Sequence, residues 1–239
     1  MDRLKLRKEI IMSVIFGSAR IDENGKAKGG KAGDQTGKEI STQEYYNSSK
    51  GWYCLRAYDR SIAEKIALAM IEACENYNIG YDQNQRTTLI TQLKAVGKIS
   101  RITTPCECDC SSLVRACVLQ ASGRDVGNFN TASERSVLLL SKMFYEVPFN
   151  FKSELCRGDI LVTKTKGHTG VIVRGTEREL EGAIGRVTAH SLNIRAGAST
   201  QCNIIGWYHR GATVVILESR NGWGRTDKGW ISLKHVEYK

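Results

Sequence analysis

Apolar and polar positions along the chain follow two different periods. Residues 13–19 (SVIFGSA) are a short, mostly apolar run of strand length and predict a buried strand entering the fold. Residues 20–51 are rich in Gly, Lys, Asn and Ser, with glycines at 25, 29, 30, 33 and 37, and read as a long hairpin or a ligand-contacting loop. From Asp59, a residue suited to cap a helix, Ile62, Ala63, Ile66, Ala67, Met70, Ala73 and Cys74 recur at helical spacing. They predict a helix stopping near Asn78, Ile79 and Gly80. Residues 87–96 predict a short helix. Residues 110–121 predict a stronger one, with Leu113, Val114, Cys117 and Val118 on one face and Gly123 as its stop. Thr131 and Glu134 have capping-box spacing ahead of the apolar residues 137–140.

Beyond Pro148 the pattern shortens. Residues 159–163 and 169–173 read as strands of a hairpin turned by 164–167, so helices precede strands in an α+β order. Glycines 182 and 185 predict a linker at 182–185. After it, the short runs 187–188, 192–195, 213–217, 222–226 and 229–232 alternate with turns at the spacing of a small β-barrel. The expected division is 12–181, linker 182–185, and 186–239.

Composition narrows the class. The chain has 239 residues, 41% of them hydrophobic, enough for one full core and a small second one, and too apolar for a disordered chain. The 23 glycines follow no period and the eight cysteines are too sparse for a disulfide scaffold. No apolar run reaches the roughly 18 to 20 residues a bilayer requires, so no stable membrane insertion is expected. The basic N-terminal stretch reads better as an over-called start at residues 1–11, ahead of Met12, than as a secretory signal. The cysteines are therefore expected to be mostly free thiols in a reducing cytoplasm. Cys106, Cys108 and Cys110 are spaced more tightly than structural zinc ligands and lack a second pair, so no metal site is expected. The formal charge of +10 points to a polyanionic partner. Residues 185–239 hold eight Lys and Arg against three Asp and Glu, so under a quarter of the chain carries half of that charge.

The sharpest chemical feature is Asp109-Cys110-Ser111-Ser112-Leu113-Val114, a cysteine opening a helix. Free amides and the positive helix end favour a thiolate there and can donate to an oxyanion. A small buried cysteine, as expected for Cys117, is the competing reading. His168 begins the second strand of the hairpin, where an imidazole can serve first as base and then as acid. His190, His209 and His235 read as surface or packing residues of the basic unit.

Together with 158–162 (GDILV) and 168–173 (HTGVIV), the Cys110 string resembles the NlpC-type, papain-like cysteine peptidases that cleave peptidoglycan. Residues 30–39 (GKAGDQTGKE) and 80–83 (GYDQ) resemble a group of endolysins and prophage wall hydrolases, and residues 186–235 resemble a bacterial SH3-like wall-binding domain. The resemblance covers nearly the whole chain. It implies an α+β papain-like catalytic domain followed by a small all-β SH3-like barrel, with Cys110 as nucleophile and His168 as base. Tyr81 matches the tyrosine that frames the site, with Asp82 beside it, although the stretch from Tyr81 to Cys110 is longer than the family pattern. The third polar residue of the family falls near Leu180, where Glu179 and Glu181 are the polar neighbours. Asp34 or Gln35 could instead orient His168 or hold substrate, and Asp34 could equally make an Asx turn. Trp207, Tyr208, Trp223 and Trp230 are the candidate wall-binding residues.

The implied function is an endolysin that cuts an amide bond of the wall stem peptide without a cofactor, its SH3-like domain docking it on peptidoglycan and anionic wall polymers. The alternatives are an N-acetylmuramoyl-L-alanine amidase of the same architecture and a non-catalytic wall-binding protein. Nucleic-acid binding is disfavoured, because Trp223 and Trp230 sit at glycine-flanked barrel positions. Storage in a host cytoplasm until release goes with the lysin reading.

Overall fold

The computed structural model describes residues 13–150, 152–176 and 183–238. The expected alternative start at residues 1–11 lies outside them. The chain divides into two compact units at 177/178.

The first unit is mixed α/β. Its strands are β1 (Ile15–Ala19), β2 (Ile40–Glu44), β3 (Trp52–Ala57), β4 (Ile79–Tyr81), β5 (Cys106–Cys108), β6 (Phe144–Val147), β7 (Ile160–Thr163) and β8 (Thr169–Arg174). Its helices are α1 (Arg60–Cys74), α2 (Thr88–Val96), α3 (Cys110–Ser122) and α4 (Glu134–Leu140). Six strands form one antiparallel sheet in the order β2-β1-β8-β7-β3-β6, and β4 and β5 form a separate parallel pair. The expectation that strands follow helices is corrected here. The first three strands precede α1, and β1 pairs directly with β8 near the end of the unit. Residues 20–39 are the connection of the β1–β2 hairpin.

Alternation along the strands builds two cores. Ala19, Leu55, Ile160, Val162, Val171 and Val173 pack with the helices on one face of the sheet. Val14, Phe16, Cys54, Leu161 and Ile172 form a smaller cluster on the other. Gly17 faces α1, since a Cβ on it would fall 2.6 Å from Met70 Cγ. Ser18 therefore points to the Phe16 side. Asp59 caps α1 by accepting the Ser61 amide at 2.7 Å. The helix ends at Cys74, one turn before the expected stop, where Asn76 captures the chain by donating to the carbonyls of Ile99 and Ile102. Asp159 of the GDILV run is fully buried and takes a bidentate pair from Arg56, both contacts at 2.7 Å, which anchors β7 against β3.

The capping box expected at Thr131 and Glu134 does not form. The residue ahead of α4 is Ser133, which makes no side-chain cap. Thr131 Oγ1 accepts the Gly167 amide, and Glu134 turns inward to Thr169. Tertiary partners outcompete the local motif because a buried carboxyl must find a polar neighbour.

The second unit is all β. β9 (Ala183–Val187), β12 (Thr213–Ile216) and β16 (Val236–Tyr238) form one sheet in the order β12-β9-β16. β10 (Ser191–Arg195), β11 (Ile204–His209), β13 (Glu218–Arg220), β14 (Trp223–Thr226) and β15 (Gly229–Ser232) form another in the order β11-β10-β15-β14-β13. Val187, Leu192, Ile194, Val214, Ile216 and Ile231 fill the space between them. Of the expected linker at 182–185, residue 182 lies outside the described residues and the rest is corrected: Ala183, Ile184 and Gly185 are paired with Ile216, Val215 and Val214 in the β9 ladder. Gly185 is a packing glycine, because a Cβ there would collide with Val236 Cγ1.

Candidate active site

Cys110 is the first residue of α3, and the local sequence builds that helix start firmly. Asp109 is the N-cap. Its Oδ1 accepts the Ser112 amide at 2.7 Å, and Ser112 Oγ accepts the Asp109 amide at 2.9 Å, a reciprocal capping box. Arg86 clamps the cap from outside, its Nε donating to Asp109 Oδ2 at 2.6 Å and its Nη2 to Ser111 Oγ and the Phe129 carbonyl. The Leu113 amide goes to the Asp109 carbonyl, which leaves the amides of Cys110 and Ser111 at the open end of the helix.

His168 stands at the mouth of the β7–β8 hairpin, its backbone locked to Thr163 by the Thr163 amide and hydroxyl. The ring lies among Phe16 and Trp52, with centroids 6.0 and 6.5 Å away. It is brought to Cys110 through its neighbour, because the backbone amide of Thr169 acts on the Cys110 sulfur. Among the described residues, no hydrogen bond joins the sulfur to the imidazole. Tyr81 is buried on β4, with Gln83 Nε2 donating to its hydroxyl at 3.1 Å. It is close enough to Cys110 and Asp109 for their charges to bear on it.

Electrostatics corrects the expected thiolate. The Thr169 and Ser111 amides favour ionisation, but burial and the carboxyls of Asp109 and Glu134 outweigh them and push the Cys110 thiol up to about 12. Burial first, then the Arg20 cation, lowers His168 to about 4. The resting pair is thus a neutral thiol beside a neutral imidazole, which suits base-assisted attack rather than a preformed ion pair. Burial raises the Glu134 carboxyl well above the ordinary carboxylate range. The Thr169 hydroxyl donates to Glu134 Oε1 at 2.6 Å and lies 2.8 Å from the Leu161 carbonyl.

The His168 shift has a testable sign. Between pH 6.5 and about 4 the ring is neutral when folded and protonated when unfolded, so unfolding takes up a proton and stability is lost as pH falls through that window. An NMR titration of the ring is expected to find it neutral at about pH 5.5, far above the folded midpoint. A midpoint near the ordinary histidine value would overturn the assignment.

The remaining predicted residues are placed elsewhere. Asp34 makes the Asx turn weighed above, its Oδ1 accepting the amides of Thr36 and Gly37. Gln35 donates to the carbonyls of Ala32 and Gly33. Among the described residues neither is hydrogen-bonded to His168, and both brace the 20–39 connection. Asp82 accepts the amides of Gly29 and Asn84, and Glu39 those of Gln35 and Tyr81, so these carboxylates tie the 20–39 connection to β4. Glu107 lies in the same acidic group, buried, its backbone tied to Thr88 and its carboxyl acted on by the Gly33 amide. Burial and the charges of Glu39 and Asp82 raise it to about 8. Glu179 and Glu181 lie outside the described residues. Among those described, no three His, Cys, Asp or Glu side chains are arranged to hold a metal ion.

Sequence reasoning missed Arg86, Glu134 and Arg20. Each acts through long-range contacts, and the only local signal among them, the capping-box spacing at Glu134, pointed to a different role.

In the second unit the register sorts the candidate wall-binding residues. Leu192, Ile194 and Ile231 face the core, so Asn193 and Arg195 on β10 and Trp230 on β15 face outward. Trp207 pairs with Asn193, Arg225 with Trp230 and Trp223 with Ser232, which places Trp207, Trp223, Trp230, Arg195 and Arg225 on one outer face of the five-stranded sheet. Tyr208 departs from this set. It pairs with Leu192 and packs inward, its hydroxyl bonded to Thr226 Oγ1.

A mixed α/β unit with a cysteine at a capped helix start, followed by a small β module with an aromatic and basic outer face, has the make-up of a modular protein acting on a polymer. Residues 16–179 match the family model described as endolysin-like domain, and residues 190–237 match that of the bacterial SH3 domain. The chain belongs to the endolysin-like domain family. Joined to a bacterial SH3 domain, this makes it a peptidoglycan hydrolase whose second unit suggests attachment to the cell wall. No curated protein and no solved structure gives a match. No helix among the described residues is long and apolar enough to cross a membrane.

Proposed function

We propose that the first unit is an α+β papain-like, NlpC-type cysteine peptidase that hydrolyses an amide bond in the stem peptide of peptidoglycan. The observation that carries this is the seating of Cys110 on the capped start of α3, with the amide next to His168 acting on its sulfur. His168 takes the thiol proton as Sγ adds to the scissile carbonyl carbon. The amides at the open end of α3 stabilise the resulting oxyanion, a contribution of roughly 3 to 4 kcal/mol for one donor in related chemistry. The C–N bond breaks as the imidazolium returns its proton to the leaving amine, and water, deprotonated by the same imidazole, hydrolyses the thioester. The enzyme supplies all the groups needed for these steps. The outer face carrying Trp207, Trp223 and Trp230 provides the wall contact, and the basic excess of residues 185–239 attracts anionic wall polymers.

Digestion of purified walls followed by mass spectrometry and labelling of new termini tests the reaction class. Stem-peptide cleavage is expected to release new amino groups within the peptide and no new reducing sugars. Release of reducing ends would reject amide hydrolysis, and peptides freed intact from the glycan would assign the bond to the muramoyl-alanine amide instead.

A further inference from the structure

Beside the candidate base His168 lies a cation whose buried nitrogens have no hydrogen-bond partner among the described residues. Arg20 follows β1 directly, and the β1–β8 register that pairs Gly17 with Val171 brings Arg20 opposite His168 when continued. Its Nε and Nη2 are buried without a hydrogen-bond partner, and so is the hydroxyl of the fully buried Ser18, two residues earlier on the same strand face. The acid nearest in sequence pairing, Glu39, accepts the Arg20 amide with its backbone carbonyl, but its carboxylate is taken by the Gln35 and Tyr81 amides. The groups that act on the guanidinium are Cys74 and Tyr46, both held neutral by burial. Tyr46 in turn senses Cys110, and its ring packs on Phe16 and Trp52, the rings that flank His168. Arg20, Tyr46, His168 and Cys110 thus share one locale.

Buried guanidinium N–H groups left unpaired are costly, and a planar two-nitrogen fork matches a carboxylate. We propose that Arg20, with Ser18 beside it, is a specificity subsite that binds a free carboxylate of the peptide whose amide is presented to Cys110. The proposal rests on the hydrolase reading above and deepens it. A carboxamide at the same place would put N–H against N–H, so the subsite selects against amidated peptides. Binding also acts on chemistry. A carboxylate neutralises the cation that holds His168 down, so the imidazole becomes a stronger base when substrate is seated.

The test uses disaccharide stem pentapeptides in which each free carboxylate, the isoglutamate α-carboxyl and the C-terminus, is replaced in turn by a carboxamide. Binding is measured by calorimetry on the full chain carrying Cys110→Ala, with and without Arg20→Gln, and cleavage on the chain with Cys110 intact. One replacement is expected to weaken binding about tenfold or more when Arg20 is present, and to matter less than about twofold with Arg20→Gln. Because Nε and Nη2 of Arg20 have no hydrogen-bond partner among the described residues, Arg20→Gln should melt no lower than its parent, and Arg20→Lys should retain part of the preference. In the free protein, Arg20→Gln should also move the His168 titration upward. Equal binding of all the peptides, no binding of any, or a preference that survives Arg20→Gln would each overturn the subsite. If the preference holds but the Cys110 protein cuts none of the peptides, the subsite stands and the hydrolytic role of Cys110 falls.

Discussion

Cys110→Ala is expected to reduce wall lysis by at least about 10³-fold while leaving wall attachment unchanged. The change removes one sulfur from a buried position without touching the cap formed by Asp109, Ser112 and Arg86. Melting should therefore shift little, and loss of lysis would report on chemistry. The SH3 match suggests that attachment lies in the second unit, and it is read by sedimentation with walls. His168→Ala should cost a comparable factor. If thiol and imidazole act as one unit, the double variant will be scarcely worse than either single one, because removal of either partner already abolishes the shared step. That non-additivity is the informative readout here, since among the described residues no hydrogen bond joins Sγ to the ring and the neighbouring Thr169 amide acts on the sulfur. Undiminished lysis by Cys110→Ala would reject the nucleophile.

What the sequence made legible was local. Helical spacing, Asp59 and Asp109 as caps, and Gly123 as a stop each encode a short-range preference, and α1, α2 and α3 begin within a residue of where those signals place them. The β7–β8 hairpin was visible for the same reason. Strands β3 and β6 were not, because WYCLRA and FYEV become strands only by pairing across about ninety residues. Glycines at 182 and 185 looked like a linker because a close backbone approach and a flexible joint use the same residue. Only the nearness of Val236 tells them apart. At the candidate site, the cysteine and the histidine carry recognisable surroundings, whereas their ionisation does not. Helix polarity argued for a thiolate, but burial and two neighbouring carboxyls, one of them 24 residues downstream, reverse the sign. Arg20 escaped notice because a lysine- and glycine-rich loop hides one arginine whose importance comes from what it fails to touch.

Arg86→Met is expected to lower stability by about 3 kcal/mol or more and activity with it, because it breaks a largely buried ion pair and strands the surviving carboxylate. Arg86 and Asp109 are both mostly shielded from solvent and meet at 2.6 Å, and the guanidinium also reaches Ser111, Asn128 and Phe129. It therefore joins the start of α3 to the segment leading into α4. Two effects on Cys110 follow from its loss. The helix start loosens, which degrades the position of the open amides. The Asp109 charge, already raising the Cys110 pKa, also loses its counter-cation, which makes the thiol harder to ionise. The pH–rate profile should accordingly shift its thiol limb upward, a change that simple unfolding would not produce. Asp109→Asn in the Arg86→Met background should recover part of the melting temperature by removing the uncompensated charge, since an amide can still accept the Ser112 N–H. A double-mutant cycle then isolates the pair. Additive losses would mean that Arg86 stabilises the fold through Asn128 and Phe129 alone, and that the cap on the candidate catalytic helix holds without it.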